Sequence, residues 1–212
     1  METGEEQLKI KLLSNWYALQ VRTRHEEEMI DIIRRLVDAE LGEEVFTMLK
    51  KKEMHGGGGA RWIVDAPMFP GYLFLQTNDI NRIRQSLRVI VQFKRILKAG
   101  GQFMPLYEQE VELLKALGGA DHVVEMSIGW KEGDQVGVLE GPLVLFRGEI
   151  KKVNKNKNKA LIETTLFGQP HRVWVGLKFL ASKTEAENIV WKMRRKDLLP
   201  EELYPENVIQ PH

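Results

Sequence analysis

The fold of this chain is indicated most clearly by nine residues, Met68-Phe69-Pro70-Gly71-Tyr72-Leu73-Phe74-Leu75-Gln76. A proline-glycine turn followed by aromatic and aliphatic residues predicts a β-strand that begins near Tyr72. Because successive side chains of a strand point to opposite faces, Tyr72 and Phe74 share one face, and Leu73 and Leu75 share the other. One face can therefore enter a core while the other offers an apolar surface to a partner. The alternative is an ordinary strand that is buried in a hairpin.

The sequence around this strand predicts an α+β domain. Aromatic and β-branched residues indicate strands, and apolar residues at helical spacing indicate helices. In chain order, the predicted elements are a strand at 15–22, a helix at 25–40, a strand at 44–49, a long flexible hairpin at 50–66, the strand after Gly71, a helix at 80–87, a strand at 89–97 and a helix at 105–117. This order favours one sheet that is covered by helices on one face.

From Trp130 onward the sequence changes to short strands that are separated by turn residues. The predicted strands lie at 134–139, 148–154, 159–166 and 172–176. Strands at this spacing indicate a small β-barrel. Within it, residues 135–150 alternate apolar side chains, run into Gly141-Pro142 and turn on Gly148.

Composition excludes several classes of protein. The chain has 212 residues with 43% hydrophobic and 29% charged residues, and it contains no cysteine. It has no run of about 18 apolar residues that would span a membrane, and its acidic amino terminus is unlike a secretory signal. Without cysteine there are no disulfides, thiolate metal sites or cysteine nucleophiles. We therefore expect a cytoplasmic protein with no membrane contact.

The sequence contains no convincing catalytic or metal-binding motif. The five histidines are scattered without metal-ligand spacing. The glycine run 56–59 lacks the Lys-Ser/Thr that follows in a phosphate-binding loop, and no Gly-x-Ser-x-Gly element is present. We expect a protein that is not an enzyme and that needs no cofactor or metal.

Charge is unevenly distributed although the net charge is only +1. Between Ile80 and Leu106 there are six basic residues and no acidic residue, and further lysines cluster at 50–52 and 151–159. Clustered basic residues attract a phosphate backbone locally. The alternative for each cluster is a solvated lysine face.

The order and spacing of four segments resemble the NusG family of transcription elongation factors. These segments are WYAL at 16–19, RTRHE at 22–26, FPGYLFLQ at 69–76 and the stretch 135–150, which is similar to a KOW motif. The resemblance implies an NGN-type α/β sandwich followed by a small β-barrel KOW domain. We predict an amino-terminal extension at 1–14, an NGN-like domain at 15–117, a linker at 118–129, a KOW domain at 130–181 and a tail at 182–212, which either forms a helix or is partly disordered.

The resemblance also implies partners and site residues. The NGN-like domain would dock on the β′ clamp helices of RNA polymerase through Phe69, Tyr72, Phe74, Ala18 and Gln20, although Phe69 is alternatively a core residue. The residues predicted to contact nucleic acid are Arg22, Thr23, Arg24, His25, Arg82, Arg84, Arg88, Lys50, Lys51 and Lys52. His25 is alternatively an ordinary residue at a helix start. Phe167 corresponds to the aromatic that binds Rho or ribosomal protein S10, while Gln169-Pro170-His171 departs from the usual arginine-bearing sequence there.

Finer details resemble specialised antiterminators of the LoaP or UpxY type. These details are RTRHEE at 22–27 and Met104-Pro105-Leu106. They imply a processivity factor for particular operons, which suppresses pausing and termination and reads an RNA hairpin in the nascent leader, or alternatively an exposed DNA strand. Two other hypotheses stay open: a general NusG-type elongation factor, and a KOW RNA-binding protein without polymerase contact. Because residues 130–181 are rich in strand and turn residues, we do not expect a KOW domain that refolds to mask the docking face.

Overall fold

The computed structural model describes residues 15–36, 42–91, 93–99, 102–132, 135–146, 150–180, 182–185, 187, 188 and 191. The helices are α1 (Glu26–Leu36), α2 (Ile80–Leu87) and α3 (Glu108–Gly118). The strands are β1 (Asn15–Val21), β2 (Gly42–Phe46), β3 (Leu49–His55), β4 (Arg61–Pro67), β5 (Tyr72–Thr77), β6 (Phe93–Ile96), β7 (Lys98–Ala99), β8 (Gln102–Phe103), β9 (Val123–Val124), β10 (Ser127–Glu132), β11 (Gln135–Glu140), β12 (Ile150–Asn154), β13 (Lys159–Leu166) and β14 (Gln169–Leu180). The extension 1–14 and most of the tail 182–212 lie outside the described residues.

The first sheet has the strand order β2-β5-β1-β6, and its strands are antiparallel. As the alternation predicts, its two faces enter different cores. Leu73 and Leu75 of β5 pack in one core with residues of α1 and α2, such as Met29 and Ile83. Phe74 lies on the other face. The predicted α+β fold class is confirmed.

The turn before β5 is tied to the start of α1. Gly71 has a φ of 83°, a conformation that glycine adopts without strain. Its N–H donates to Oε1 of the buried Glu26 at 2.6 Å, and its carbonyl accepts the N–H of Val21 at 2.9 Å. The aromatic residues that follow the turn are thereby fixed relative to β1.

Several predicted boundaries differ in the structure, and two of the differences have a clear cause. The strand predicted at 89–97 begins only at Phe93, because the N–H of Ile90 turns back to the carbonyl of Leu87 and extends the end of α2. The segment 118–129 that was predicted as a linker contains β9, which pairs in parallel with β3, and the start of β10. The predicted long hairpin is present as β3 and β4. These strands pair along their whole length, from Leu49 opposite Pro67 to His55 opposite Arg61.

The remaining strands form a β domain, residues 127–180, with the strand order β11-β10-β14-β13-β12. Its core contains side chains such as Leu143, Ile162 and Val175. Gly141 has a φ of 92° and lies so close to Ser127 that a Cβ would come within 2.7 Å of its Cα. Any other residue would be obstructed there, which explains the glycine that the sequence pattern singled out. Gly148 lies outside the described residues.

None of the helices among the described residues is long and apolar enough to cross a membrane. The same residues contain no cluster of three or more histidine, aspartate or glutamate side chains that would hold a metal ion.

Candidate functional site

Four of the five residues predicted to dock on polymerase lie side by side on two strands. In the antiparallel register of β1 and β5, Ala18 is opposite Phe74 and Gln20 is opposite Tyr72. Phe69, in the turn before β5, meets Phe74 edge-on with ring centroids 6.3 Å apart. We call these five residues the aromatic face.

The β domain covers the aromatic face. The ring of Phe167 stacks on Tyr72 at 4.9 Å between centroids, with the planes 21° apart, and it lies 6.1 Å from Phe74. His171 meets both Phe167 and Phe69 edge-on. Phe74, which also stacks on Phe46 of β2 at 5.5 Å between centroids, is 0% exposed, and Phe69 is 4% exposed. The two domains thus share one continuous apolar core.

A tight turn presents the Phe167 ring to this face. Leu166 and Gln169 pair across the β13–β14 hairpin, and the two residues between them both have positive φ, 58° at Phe167 and 68° at Gly168. Two-residue turns of this kind match the twist of an antiparallel pair. The N–H of Gly168 donates to Oε1 of Glu110 at 3.0 Å.

Glu110 links the helix of one domain to the turn of the other. Its second carboxylate oxygen accepts the N–H of Tyr107 at 3.0 Å and so caps α3. The side chain is 5% exposed. A buried carboxylate is stabilised by such N–H donors and destabilised when they are lost. Glu110 is not among the residues predicted from the sequence; the only signal for it is its position at the start of a predicted helix.

The arrangement joins two sites that the sequence assigns to different partners. The face predicted to bind polymerase and the Phe167 tip predicted to bind a further factor contact each other. The β domain keeps its strands, as expected, and it masks the face without any refolding. Masking by a β-stranded domain was not among the sequence predictions.

A second contact between the domains lies along the β3–β4 hairpin. Nδ2 of Asn158 donates to Oε2 of Glu53 at 2.8 Å. At Gly176 of β14, a Cβ would come within 3.0 Å of the carbonyl oxygen of Lys51. The hairpin backbone and β14 therefore pack closely because position 176 has no side chain.

A basic groove of about 660 Å³ runs beside the aromatic face. We call it the arginine groove; its cations are Arg84, Arg88, Lys94, Arg95 and Lys98. Two of these flank one ring, since Arg84 lies 5.3 Å and Lys98 lies 4.6 Å from the centroid of Phe103. Nε of Arg95 donates to Oε1 of Gln20 at 3.0 Å and joins the groove to the aromatic face. Glu110 is the single acidic residue among the described residues that line it.

The structure brings the predicted nucleic-acid residues together only in part. Arg84 and Arg88 line the arginine groove, whereas Arg82 is exposed on α2 and does not. Lys94, Arg95 and Lys98 belong to the basic stretch between Ile80 and Leu106, but they are not among the site residues predicted from the sequence. They reach the groove because β6 pairs with β1, a pairing between elements about seventy residues apart.

The segment 22–25 forms a turn between β1 and α1. Arg22, Thr23 and Arg24 are exposed, and Arg24 has a φ of 71°. Nδ1 of His25 lies 2.6 Å from a carboxylate oxygen of Glu28 in the first turn of α1. These side chains lie outside the arginine groove.

The three predicted lysines of β3 lie on the other side of the contact between the domains. Lys50 and Lys52 share one face of the strand, and Lys51 points to the opposite face, where its Nζ pairs with Asp65 at 2.9 Å. A cleft of about 560 Å³ separates this hairpin from the β domain, and Lys157, Lys159 and Trp174 line its far side. We call it the lysine cleft.

Lys50 has the most strongly shifted pKa in the lysine cleft. Burial first, and then repulsion from Lys52 and Lys159, together lower the pKa of Lys50 to about 8. Burial and the charges of Lys157 and Lys52 also lower the pKa of Lys159. Nothing in the described part of the chain forms an ion pair with Lys50, Lys52 or Lys159.

Comparison with known proteins finds similarity to NusG proteins. Residues 14–115 match the family model described as "Transcription termination factor nusG". The "Transcription termination/antitermination protein NusG" of Thermus thermophilus is 28% identical over 166 residues, which cover 73% of this chain and 90% of that protein. The protein of the same name from Bacillus subtilis is 23% identical over 162 residues, again 73% of this chain and 90% of that protein.

A solved structure supports the fold. The structure described as "Domain interaction in Thermotoga maritima NusG" superposes with a TM-score of 0.51 at 20% identity, covering 78% of this chain and 95% of that chain. The family model and the two relatives agree with the sequence resemblance, whereas the LoaP or UpxY type stays a prediction. Residues 14–115, which contain the aromatic face and the cations of the arginine groove, match the model of the NusG family.

Proposed function

We propose that the protein is a NusG-like transcription termination/antitermination factor that is not an enzyme and that docks on the β′ clamp helices of RNA polymerase through the aromatic face. One observation carries this proposal: Tyr72 and Phe74 lie beside Ala18 and Gln20 on adjacent strands and form an apolar surface on the sheet. Aromatic residues provide large contact areas at a low cost in side-chain entropy, which suits them as interface anchors.

Docking on polymerase requires the β domain to leave this face. Phe74 and Ala18 are at most 1% exposed, and the Phe167 ring lies 6.1 Å from that of Phe74. A partner therefore competes with Phe167 for the same surface, and its apparent affinity is reduced by the fraction of molecules that are undocked. The factor is inactive toward polymerase in the conformation described here and becomes active on release of the β domain.

We further propose that the arginine groove reads an RNA hairpin in the nascent leader, which would make the factor specific for particular operons. Guanidinium groups donate in a fixed fork that fits phosphates and base edges. In the groove, Arg84 and Lys98 flank the ring of Phe103, and such a combination of cations and aromatics favours RNA. The segment 22–25 extends this surface from the end of β1. An exposed DNA strand is the other nucleic acid that the same chemistry would accept.

A general elongation factor is the second candidate, and the position of Phe167 favours it. Phe167 sits at the tip of a hairpin, where an undocked β domain would offer it to Rho or ribosomal protein S10. Because the same ring now stacks on Tyr72, binding of either partner would stabilise the undocked form.

Polymerase docking is tested with an isolated clamp-helix fragment and variants that separate masking from binding. Phe167→Asp is expected to tighten fragment binding because it exposes the aromatic face. Adding Tyr72→Glu to that variant is expected to abolish binding, since the charge then lies on the open face. If Phe167→Asp and the double variant bind equally, the aromatic face is not the docking surface.

RNA reading is tested by salt-titrated binding to leader RNA from upstream of the neighbouring operon, with scrambled RNA as the control. Arg84→Gln and Arg88→Gln are each expected to weaken specific binding by about 30-fold, the middle of the range for one base contact. Arg82→Gln is the matched control, because it removes the same charge from α2 outside the groove. Equal weak binding to both RNAs would contradict the operon-specific function and leave the general factor.

A further inference from the structure

The lysine cleft concentrates positive charge on both sides of the contact between the domains. Lys50 and Lys52 come from the β3–β4 hairpin, and Lys157 and Lys159 come from the β domain. The acidic residue in the cleft, Glu53, is already engaged by Asn158, Arg61 and His55. The four lysines are therefore without a protein counterion among the described residues, and a bound anion would supply one.

The hairpin continues this charged surface with aromatic side chains. Trp62 is 48% exposed and lies opposite Met54 in the register of β3 and β4, on the same face as Lys50 and Lys52. On the β domain, Nζ of Lys159 lies 4.2 Å from the ring centroid of Trp174. Lysines that alternate with aromatic rings are typical of surfaces that follow a single-stranded backbone and stack its bases.

We propose that the lysine cleft binds the phosphate backbone of single-stranded RNA, with a base stacked on Trp62, and that it does so only while the β domain is docked. The ligand contacts lysines of both domains at once, so separating the domains divides the site. This inference goes beyond the proposed function, because it involves neither the aromatic face nor the arginine groove.

The experiment is fluorescence anisotropy of a labelled twelve-nucleotide oligouridylate over a range of salt concentrations. Lys50→Gln, Lys52→Gln and Lys159→Gln are each expected to lower affinity and to reduce the magnitude of the salt slope by about 0.7, the value for one phosphate contact on a single strand. Trp62→Ala is expected to cost about tenfold or more, as for one stacked base. Circular dichroism confirms that each variant is folded.

Lys178→Gln is the matched control, since it removes the same charge from an exposed position of β14 that does not line the cleft. If it weakens binding as much as Lys50→Gln does, binding reflects overall charge and the proposed site is wrong. Inorganic phosphate is the second probe. If it displaces the oligonucleotide at an equal phosphate concentration and Trp62→Ala has no effect, the cleft binds free phosphate and the RNA assignment is overturned.

Dependence on docking is tested with Phe167→Asp, which alters the other contact between the domains and leaves the cleft residues unchanged. We expect weaker oligouridylate binding in this variant, and unchanged affinity would contradict a site that spans both domains. The assay contains neither polymerase nor leader hairpin. If oligouridylate does not bind, the proposed transcription function is therefore not contradicted. If the clamp-helix fragment does not bind, the proposed RNA site in the lysine cleft is not contradicted.

Discussion

Truncating Phe167 to alanine should release the β domain from the aromatic face. The ring is half-buried and stacks on Tyr72 at 4.9 Å. A stacked aromatic pair contributes about 1 kcal/mol, and half of the burial of a phenylalanine side chain contributes about another 1 kcal/mol. The docked state thus loses about 2 kcal/mol, which shifts the equilibrium between docked and undocked molecules by about 30-fold.

The shift is measured directly by energy transfer between two dyes. The chain has no cysteine, so Asn81→Cys on α2 and Thr165→Cys on β13 give two exposed attachment points, one in each domain. In the Phe167→Ala background we expect lower transfer efficiency. We also expect apparent affinity for the clamp-helix fragment to rise by up to about 30-fold, because only undocked molecules present the face.

Trp62→Ala is the control, because it truncates an aromatic residue of the hairpin that makes no ring contact with the aromatic face. It should leave transfer efficiency unchanged. If Phe167→Ala also leaves transfer efficiency and fragment affinity unchanged, the stacking contact does not hold the domains together and the masking mechanism is refuted.

Three further perturbations test other parts of the same interface. Glu110→Ala removes the acceptor of two backbone N–H groups and should lower the free energy of unfolding by about 2–4 kcal/mol; a change near zero in urea unfolding would contradict the role of this carboxylate. Lys50 has its pKa lowered from 10.5 to about 8, so the unfolded chain holds more protons than the folded one between these values. Stability should therefore rise with pH across this window in the native protein relative to Lys50→Gln, as measured by urea unfolding at each pH, and equal slopes would refute the shift. Gly176→Ala places a Cβ within 3.0 Å of the Lys51 carbonyl oxygen and should lower energy transfer between the domains, whereas Gly57→Ala, which meets nothing within 4 Å, should not.

The two faces of β5 were predictable because alternation is a local property of a strand. The sequence placed Tyr72 and Phe74 on one face, and the structure confirms that they lie together. What covers that face was not predictable. An apolar pattern shows that a surface is favourable to bury, but it carries no information about whether another domain or another protein buries it.

The basic residues illustrate a similar limit. Arg84 and Arg88 are four residues apart, and helical spacing alone places them on one side. Likewise, the two-residue period of a strand separates Lys51 from Lys50 and Lys52. By contrast, Lys94 and Arg95 join the arginine groove through the pairing of β6 with β1, and Lys159 meets Lys50 through the contact between the domains. Contacts between distant segments depend on tertiary packing, which no local pattern encodes.

The two proposals are linked because both depend on the same movement of the β domain. Polymerase binds the undocked form, in which the aromatic face is open, whereas RNA in the lysine cleft binds the docked form. Each ligand then lowers the affinity of the other by the same factor, because coupling between two sites is reciprocal. RNA that fills the lysine cleft would hold the factor closed, whereas the five named cations of the arginine groove all belong to the first domain and would stay together when the β domain leaves. If both proposals hold, a single chain would distinguish nonspecific single strands, which would keep it inactive, from a leader hairpin near the polymerase.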